Sequence, residues 1–101
     1  MQERRHAERI ELNLPVRWQS LLTQGHGTVC DLSASGCFLL TAGELHAGQL
    51  VRSEIDFGNH LVVAWGQVVY QIAEMGFALR FIFSEENEAR SLRKLIERMR
   101  Q

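Results

Sequence analysis

Hydrophobic residues near the start of the chain alternate with polar ones. Ile10, Leu12, Leu14, Val16 and Trp18 fall on one side of an extended chain, with Glu11, Asn13, Pro15 and Arg17 on the other. This period of two marks a half-buried strand. Pro15 has no N–H to give to a ladder, which puts the strand at a sheet edge or places a bulge beside it. Further strand patterns run over approximately residues 27–32, 37–41, 49–57, 61–71 and 75–82. Turn chemistry separates them at Gln24-Gly25-His26-Gly27, Ser33-Ala34-Ser35-Gly36, Ala42-Gly43 and Gly58-Asn59. Strands this short, with little helix between them, predict a six-stranded antiparallel β-barrel, because closing the sheet removes its exposed edges. Residues 61–70 are apolar on both faces. One face is expected to line the interior and the other to lie beneath a covering element.

The tail supplies that element. Ala89, Leu92, Leu95, Ile96 and Met99 recur at helical spacing and form one stripe. Ser84 reads as an N-cap, Glu85, Glu86 and Glu88 follow it, and Arg98 and Arg100 come last, the charge order that suits a helix dipole. The expectation is a mainly β domain spanning residues 1–101, with a barrel over 10–82 and a C-terminal α-helix over 84–100 packed on the barrel's outside. Residues 1–9 contain only Met1 and Ala7 as apolar residues and are expected to form a mobile leader.

At 101 residues the chain can bury one core. Its formal net charge of −1 argues against binding long nucleic acid by bulk electrostatics, so an anion site has to be local. A single-stranded RNA surface is disfavoured for the same reason. No stretch is apolar and long enough for a membrane span or a secretory signal, and the chain is expected in the cytoplasm. Cys30 and Cys37 are the two cysteines. They have the wrong spacing for a zinc knuckle and read as small buried hydrophobes. His6, His26, His46 and His60 form no metal-binding pair at helical spacing, and Ser33 lacks the elbow of a hydrolase. The chain does not read as an enzyme, and no cofactor is expected.

Two short motifs carry the chemistry. Arg5 and Arg9 form Arg-x-x-x-Arg, which chance supplies about once in a chain holding 10 arginines. Asp31-Leu32-Ser33-Ala34-Ser35-Gly36 fits the pattern Asp/Asn-x-Ser-x-x-Gly, for which this composition predicts roughly 0.02 chance occurrences. Four-residue spacing keeps Arg5 and Arg9 on one side of either an extended or a helical segment. Guanidinium groups form paired hydrogen bonds to phosphate or to guanine O6 and N7, and they stack on base faces. Asp31 is an acceptor suited to guanine N–H groups or to fixing an arginine. Ser33 can bond a ligand or cap its own turn. Gly36 is expected to permit positive φ and to keep a side chain out of a ligand's way. Without a ligand, the same sequence reads as an Asx-turn between strands.

In order and separation the two motifs resemble those of PilZ domains, bacterial receptors for cyclic diguanylate (c-di-GMP), and the resemblance covers nearly the whole chain. Gly76 before Phe77, Leu79 and Phe81 is similar to the family's last barrel strand, more loosely. The resemblance implies a ligand site made of Arg4, Arg5, Arg9, Asp31, Ser33 and Gly36, with Arg4 beside the pair available to a second guanine of an intercalated ligand dimer. It further implies a leader that orders on ligand binding and then signals to a downstream protein partner. The alternative is a PilZ-like protein-interaction module that needs no ligand. Trp18 reads as core, Trp65 is open to either a core or a stacking role, and Arg80 reads as a solvated strand residue that can reach a ligand from the barrel wall.

Overall fold

The computed structural model describes residues 10–99. The strands are β1 (Ile10–Gln19), β2 (Gln24–Leu32), β3 (Gly36–Thr41), β4 (Leu50–Asp56), β5 (Leu61–Ile72) and β6 (Gly76–Ile82), followed by the helix α1 (Glu86–Met99). They close into a barrel in the order β1-β2-β3-β6-β5-β4. Every neighbouring pair is antiparallel. The expected six-stranded antiparallel barrel with a C-terminal helix is therefore present.

Alternation selects the core. Val16 and Trp18, Cys37 and Leu39, Val51 and Ile55, Ala64 and Val68, and Phe77, Leu79 and Phe81 all point inward and are buried. Each large aliphatic or aromatic side chain removed from water in this way contributes roughly 1.5–3 kcal/mol. The Trp18 indole meets Phe77 edge to face at 5.3 Å, and its N–H donates to Thr41 Oγ1 at 2.9 Å. A buried polar side chain, Ser53, donates to the Ala64 carbonyl at 2.7 Å and so leaves its hydroxyl satisfied. Leu45, on the connection from β3 to β4, is buried in the same cluster.

Helix α1 contributes Leu92 and Ile96 to this cluster, while Leu95 faces a groove against β5. Its start differs from the expected cap. The Ser84 N–H and hydroxyl both donate to the Glu88 carboxylate, at 3.0 and 3.3 Å, so the glutamate caps the serine. Arg100 and the leader of residues 1–9 lie outside the described residues.

One strand boundary corrects the sequence reading. Gln24-Gly25-His26-Gly27 is strand rather than turn, and the chain reverses instead at residues 20–23, where the Ser20 N–H donates to the Thr23 carbonyl at 2.7 Å. The glycines there serve close approach. A Cβ at Gly25 would stand 2.7 Å from the Trp18 ring, and one at Gly27 would stand 2.1 Å from the Leu40 carbonyl oxygen. Pro15 is paired with Thr28 of β2 but lies one residue before β4 begins to pair at Val16, and a bulge between Glu11 and Leu14 precedes it. It thus occupies a local edge of an otherwise closed barrel.

Candidate ligand site at the β2–β3 turn

Strand β2 ends in the Asp-x-Ser-x-x-Gly turn, and β1 begins beside it. Ile10 is opposite Leu32, and Glu11 is opposite Asp31. Strand β1 therefore starts at the rim that carries the turn. Arg4, Arg5 and Arg9 themselves lie outside the described residues. At about 3.3–3.6 Å per residue, Arg5 sits within ~18 Å of chain from Ile10.

The turn is closed by its own groups. The Ser33 N–H donates to the Gly36 carbonyl at 2.9 Å, and the Ser35 N–H donates to Ser33 Oγ at 3.2 Å. Ser33 Oγ also lies 3.1 Å from Ser35 Oγ and 3.4 Å from the Gly36 carbonyl. Ser33 is buried, so of its two expected roles the structure displays the capping one. The Phe81 N–H donates to the Ser35 carbonyl at 2.8 Å and ties the turn to β6.

Gly36 has a different reason to be glycine from the one expected. Its φ is not among the positive values of the chain, and a Cβ there would stand 2.1 Å from the Leu79 carbonyl oxygen. Close packing of β3 on β6 excludes any side chain. Arg80 is opposite Gly36. Arg80 is exposed and donates from Nη2 to Gln67 Oε1 at 2.9 Å.

Asp31 owes its position to a bulge. Val29 faces Leu39 and Asp31 faces Phe38, so Cys30 is an extra residue in β2. Strict alternation would turn Asp31 inward along with Val29. Instead Val29 and Leu32 are buried, and Asp31 stands half-buried between Glu11 and Phe38. Across β3 and β6 the same row continues through Ala78 to Tyr70, whose ring lies 6.2 Å from that of Phe38. That these two aromatic residues share a row with Asp31 was not legible in the sequence, because the register that joins them is tertiary.

Cys37 is buried as expected, but Cys30 is half-exposed at its bulge. Burial, and then the Asp31 charge, push both thiols above their ordinary range. They stay protonated near neutral pH and are poor nucleophiles. No cluster of three or more metal-ligating side chains occurs among the described residues, and none of the described helices is long and apolar enough to cross a membrane.

A groove of about 630 Å³ lies away from the motif, between β5 and α1, lined by Leu50, Val63, Trp65, Ile82 and Leu95 among others. Trp65, half-exposed there, is neither core nor beside Asp31. Trp18 is core.

A closed six-stranded barrel with an appended helix and an Asp-x-Ser-x-x-Gly turn at the rim where β1 starts defines a small β-barrel module with a polar turn at its rim. The PilZ domain family model matches residues 3–98, so the match takes in the arginine-bearing segment, the barrel and nearly all of the helix, and the chain belongs to that family. No curated protein sequence matches it. Among solved structures, it is similar to the PilZ domain of CeSA from a cellulose-synthesizing bacterium, at 14% identity and a TM-score of 0.77 over 93% of this chain and 99% of that one. It is also similar to the PilZ domain of YcgR from Escherichia coli, a structure with c-di-GMP, at 17% identity and a TM-score of 0.75 over 97% of this chain and 93% of that one. A third similar structure is the Bacillus subtilis inhibitor of motility MotI/DgrA, at 19% identity and a TM-score of 0.69 over 96% of this chain. This chain spans 51% of that protein's length. At these identities the likeness concerns the fold.

Proposed function

We propose that this chain is a c-di-GMP receptor whose ligand is clasped between Arg5 and Arg9 on one side and the turn carrying Asp31, Ser33 and Gly36 on the other. The observation that carries the reading is the start of β1, where Ile10 pairs with Leu32 and Glu11 with Asp31. That register starts β1 beside the motif turn, which supports a reading in which the arginine-bearing segment before it reaches the turn. The two acidic residues at one register position also suit the neighbouring guanidinium groups, so Asp31 is equipped both to orient an arginine and to accept from guanine N–H groups. Family membership and the ligand of the YcgR structure point the same way.

In this reading ligand binding orders residues 4–9 onto the rim and creates a surface for a downstream protein partner. Arg4 serves a second guanine when an intercalated ligand dimer is bound. The action is binding rather than catalysis, with no metal or cofactor, and it belongs to a bacterial cytoplasm. Each charge-assisted hydrogen bond supplies roughly 1.5–3 kcal/mol. Ordering the segment and the ligand takes several kcal/mol back, which leaves affinity at about micromolar or somewhat tighter.

Calorimetry of the wild type with c-di-GMP, against GTP and cyclic diadenylate as controls, tests the reading. Arg9→Ala and Arg5→Ala are expected to weaken binding at least ~10-fold while the thermal midpoint holds, because both precede the first barrel strand in the sequence. A wild type that ignores c-di-GMP would leave the ligand-independent interaction module as the better account.

A further inference from the structure

Helix α1 leaves open the face of β5 that the apolar pattern predicts to be covered. Its Leu92 and Ile96 join the core cluster. Leu61, Val63 and Trp65 alternate along β5 with the inward residues and remain 61%, 45% and 49% exposed. Ile82, opposite Trp65 on β6, is exposed beside them. Four large apolar side chains in one strip differ from scattered surface hydrophobes, and such a strip marks a surface that meets another molecule. Two cavities lie between the strip and α1. The groove of about 630 Å³ is lined by Trp65, Ile82 and Glu88, and a second cavity of about 290 Å³ is lined by Leu61, Lys94 and Arg98. Val62, Ser91 and Leu95 line both, so the two form one cleft with Ser91 at its middle.

The ends of this cleft carry opposite charge. Glu88 stands at the Trp65 end, with Glu85 and Glu86 just before it in the chain, and Lys94 and Arg98 stand with His60 at the Leu61 end. Among the described residues neither Lys94 nor Arg98 forms an ion pair. We propose that the cleft binds a second copy of this chain, with the two α1 helices antiparallel and crossing at Ser91. Glu88 comes three residues before Ser91 and Lys94 three after it, about 4.5 Å along the helix in either direction. A two-fold axis through Ser91 therefore sets Glu88 of each copy against Lys94 of the other, which is the self-complementarity that a symmetric dimer requires. Parallel helices would bring like charges together. Ser91 is small and exposed, so the helix axes can approach to about 8 Å at the crossing. The two apolar strips flank that crossing. Their withdrawal from water drives association, and the charges set its direction. The inference is independent of the receptor reading.

Sedimentation equilibrium and tryptophan fluorescence test the pairing. The wild type is expected to pass from monomer to dimer below about 1 mM. Emission should move to shorter wavelength on the way as Trp65 loses water, since Trp18 is already buried. Ser91→Arg, which puts a long side chain at the axis, and Lys94→Glu are each expected to weaken association at least ~10-fold. Both positions are exposed, so the thermal midpoints of dilute monomer should hold. Glu88→Lys also loses the contact with Ser84, so reversal there is read in a mixture. Glu88→Lys and Lys94→Glu, each weak alone, should associate with one another about as tightly as the wild type does with itself. A wild type that stays monomeric at about 1 mM overturns the proposal and leaves the strip to a different protein. So does a dimer that Ser91→Arg leaves intact, or a mixture that associates no better than its components.

Discussion

The two turns that bracket β2 use the same local chemistry and meet different fates. At one end the Ser20 N–H donates to the Thr23 carbonyl, while the Ser20 hydroxyl donates to that carbonyl at 3.1 Å and accepts the Thr23 N–H at 3.2 Å. At the other end Ser33 closes on Gly36 in the same four-residue span. The first turn holds Leu21 and Leu22 out at 92% and 85% exposure. The second is buried at Ser33, bonded to β6 through Ser35 and pressed against Leu79 at Gly36. A serine-closed turn is thus a local habit of the chain, and a rigid rim arises only where a third strand grips it. In the proposed site, Ser33 and Gly36 on the gripped turn are held in place before any ligand arrives.

Substitutions can break that contrast. The largest effect is expected from Gly36→Ala, whose new Cβ would run into the Leu79 carbonyl and force β3 from β6, at a cost of roughly 3 kcal/mol in urea unfolding. An unchanged midpoint would show that the third strand does not hold the turn. A smaller and unequal pair of effects is expected from removing the two hydroxyls. Ser33→Ala should cost about 1–2 kcal/mol, since it withdraws the acceptor of the Ser35 N–H from a buried position. Ser20→Ala should cost ~0.5 kcal/mol or less, because water can replace its exposed bonds. Equal losses would mean that burial adds nothing. Least of all, the double change Leu21→Ser and Leu22→Ser is expected to leave stability within about 0.5 kcal/mol, with chemical denaturation as the check. A loss above ~1 kcal/mol would show the leucines packed against something in solution.

Much of this molecule was open to reading without coordinates. Period-two alternation located six strands to within about three residues at either end, and the stripe of Leu92 and Ile96 located the helix face that joins the core. The Gly58-Asn59 reversal was also legible. There the Phe57 N–H donates to the His60 carbonyl, and the Gly58 N–H donates to Asp56 Oδ1, both at 2.8 Å. The first hairpin was misplaced because Gly25 and Gly27 look like turn formers. Their actual role, making room for Trp18 and the Leu40 carbonyl, depends on residues 7 and 13 positions away. Gly36 was found for the wrong reason in the same way, since its constraint comes from Leu79 rather than from its own φ.

The amino-acid order alone determined the barrel's strands, the covering helix and the two motifs, because alternation, helical spacing and turn chemistry are properties of neighbouring residues. Only the tertiary structure decided which side chains share a surface. Alternation counts residues, and a bulge adds one, so each bulge reverses the face of all that follows it. Those in β2 and β5 turn Asp31 and Tyr70 outward and set them in a common row, which only the pairing of four strands brings together.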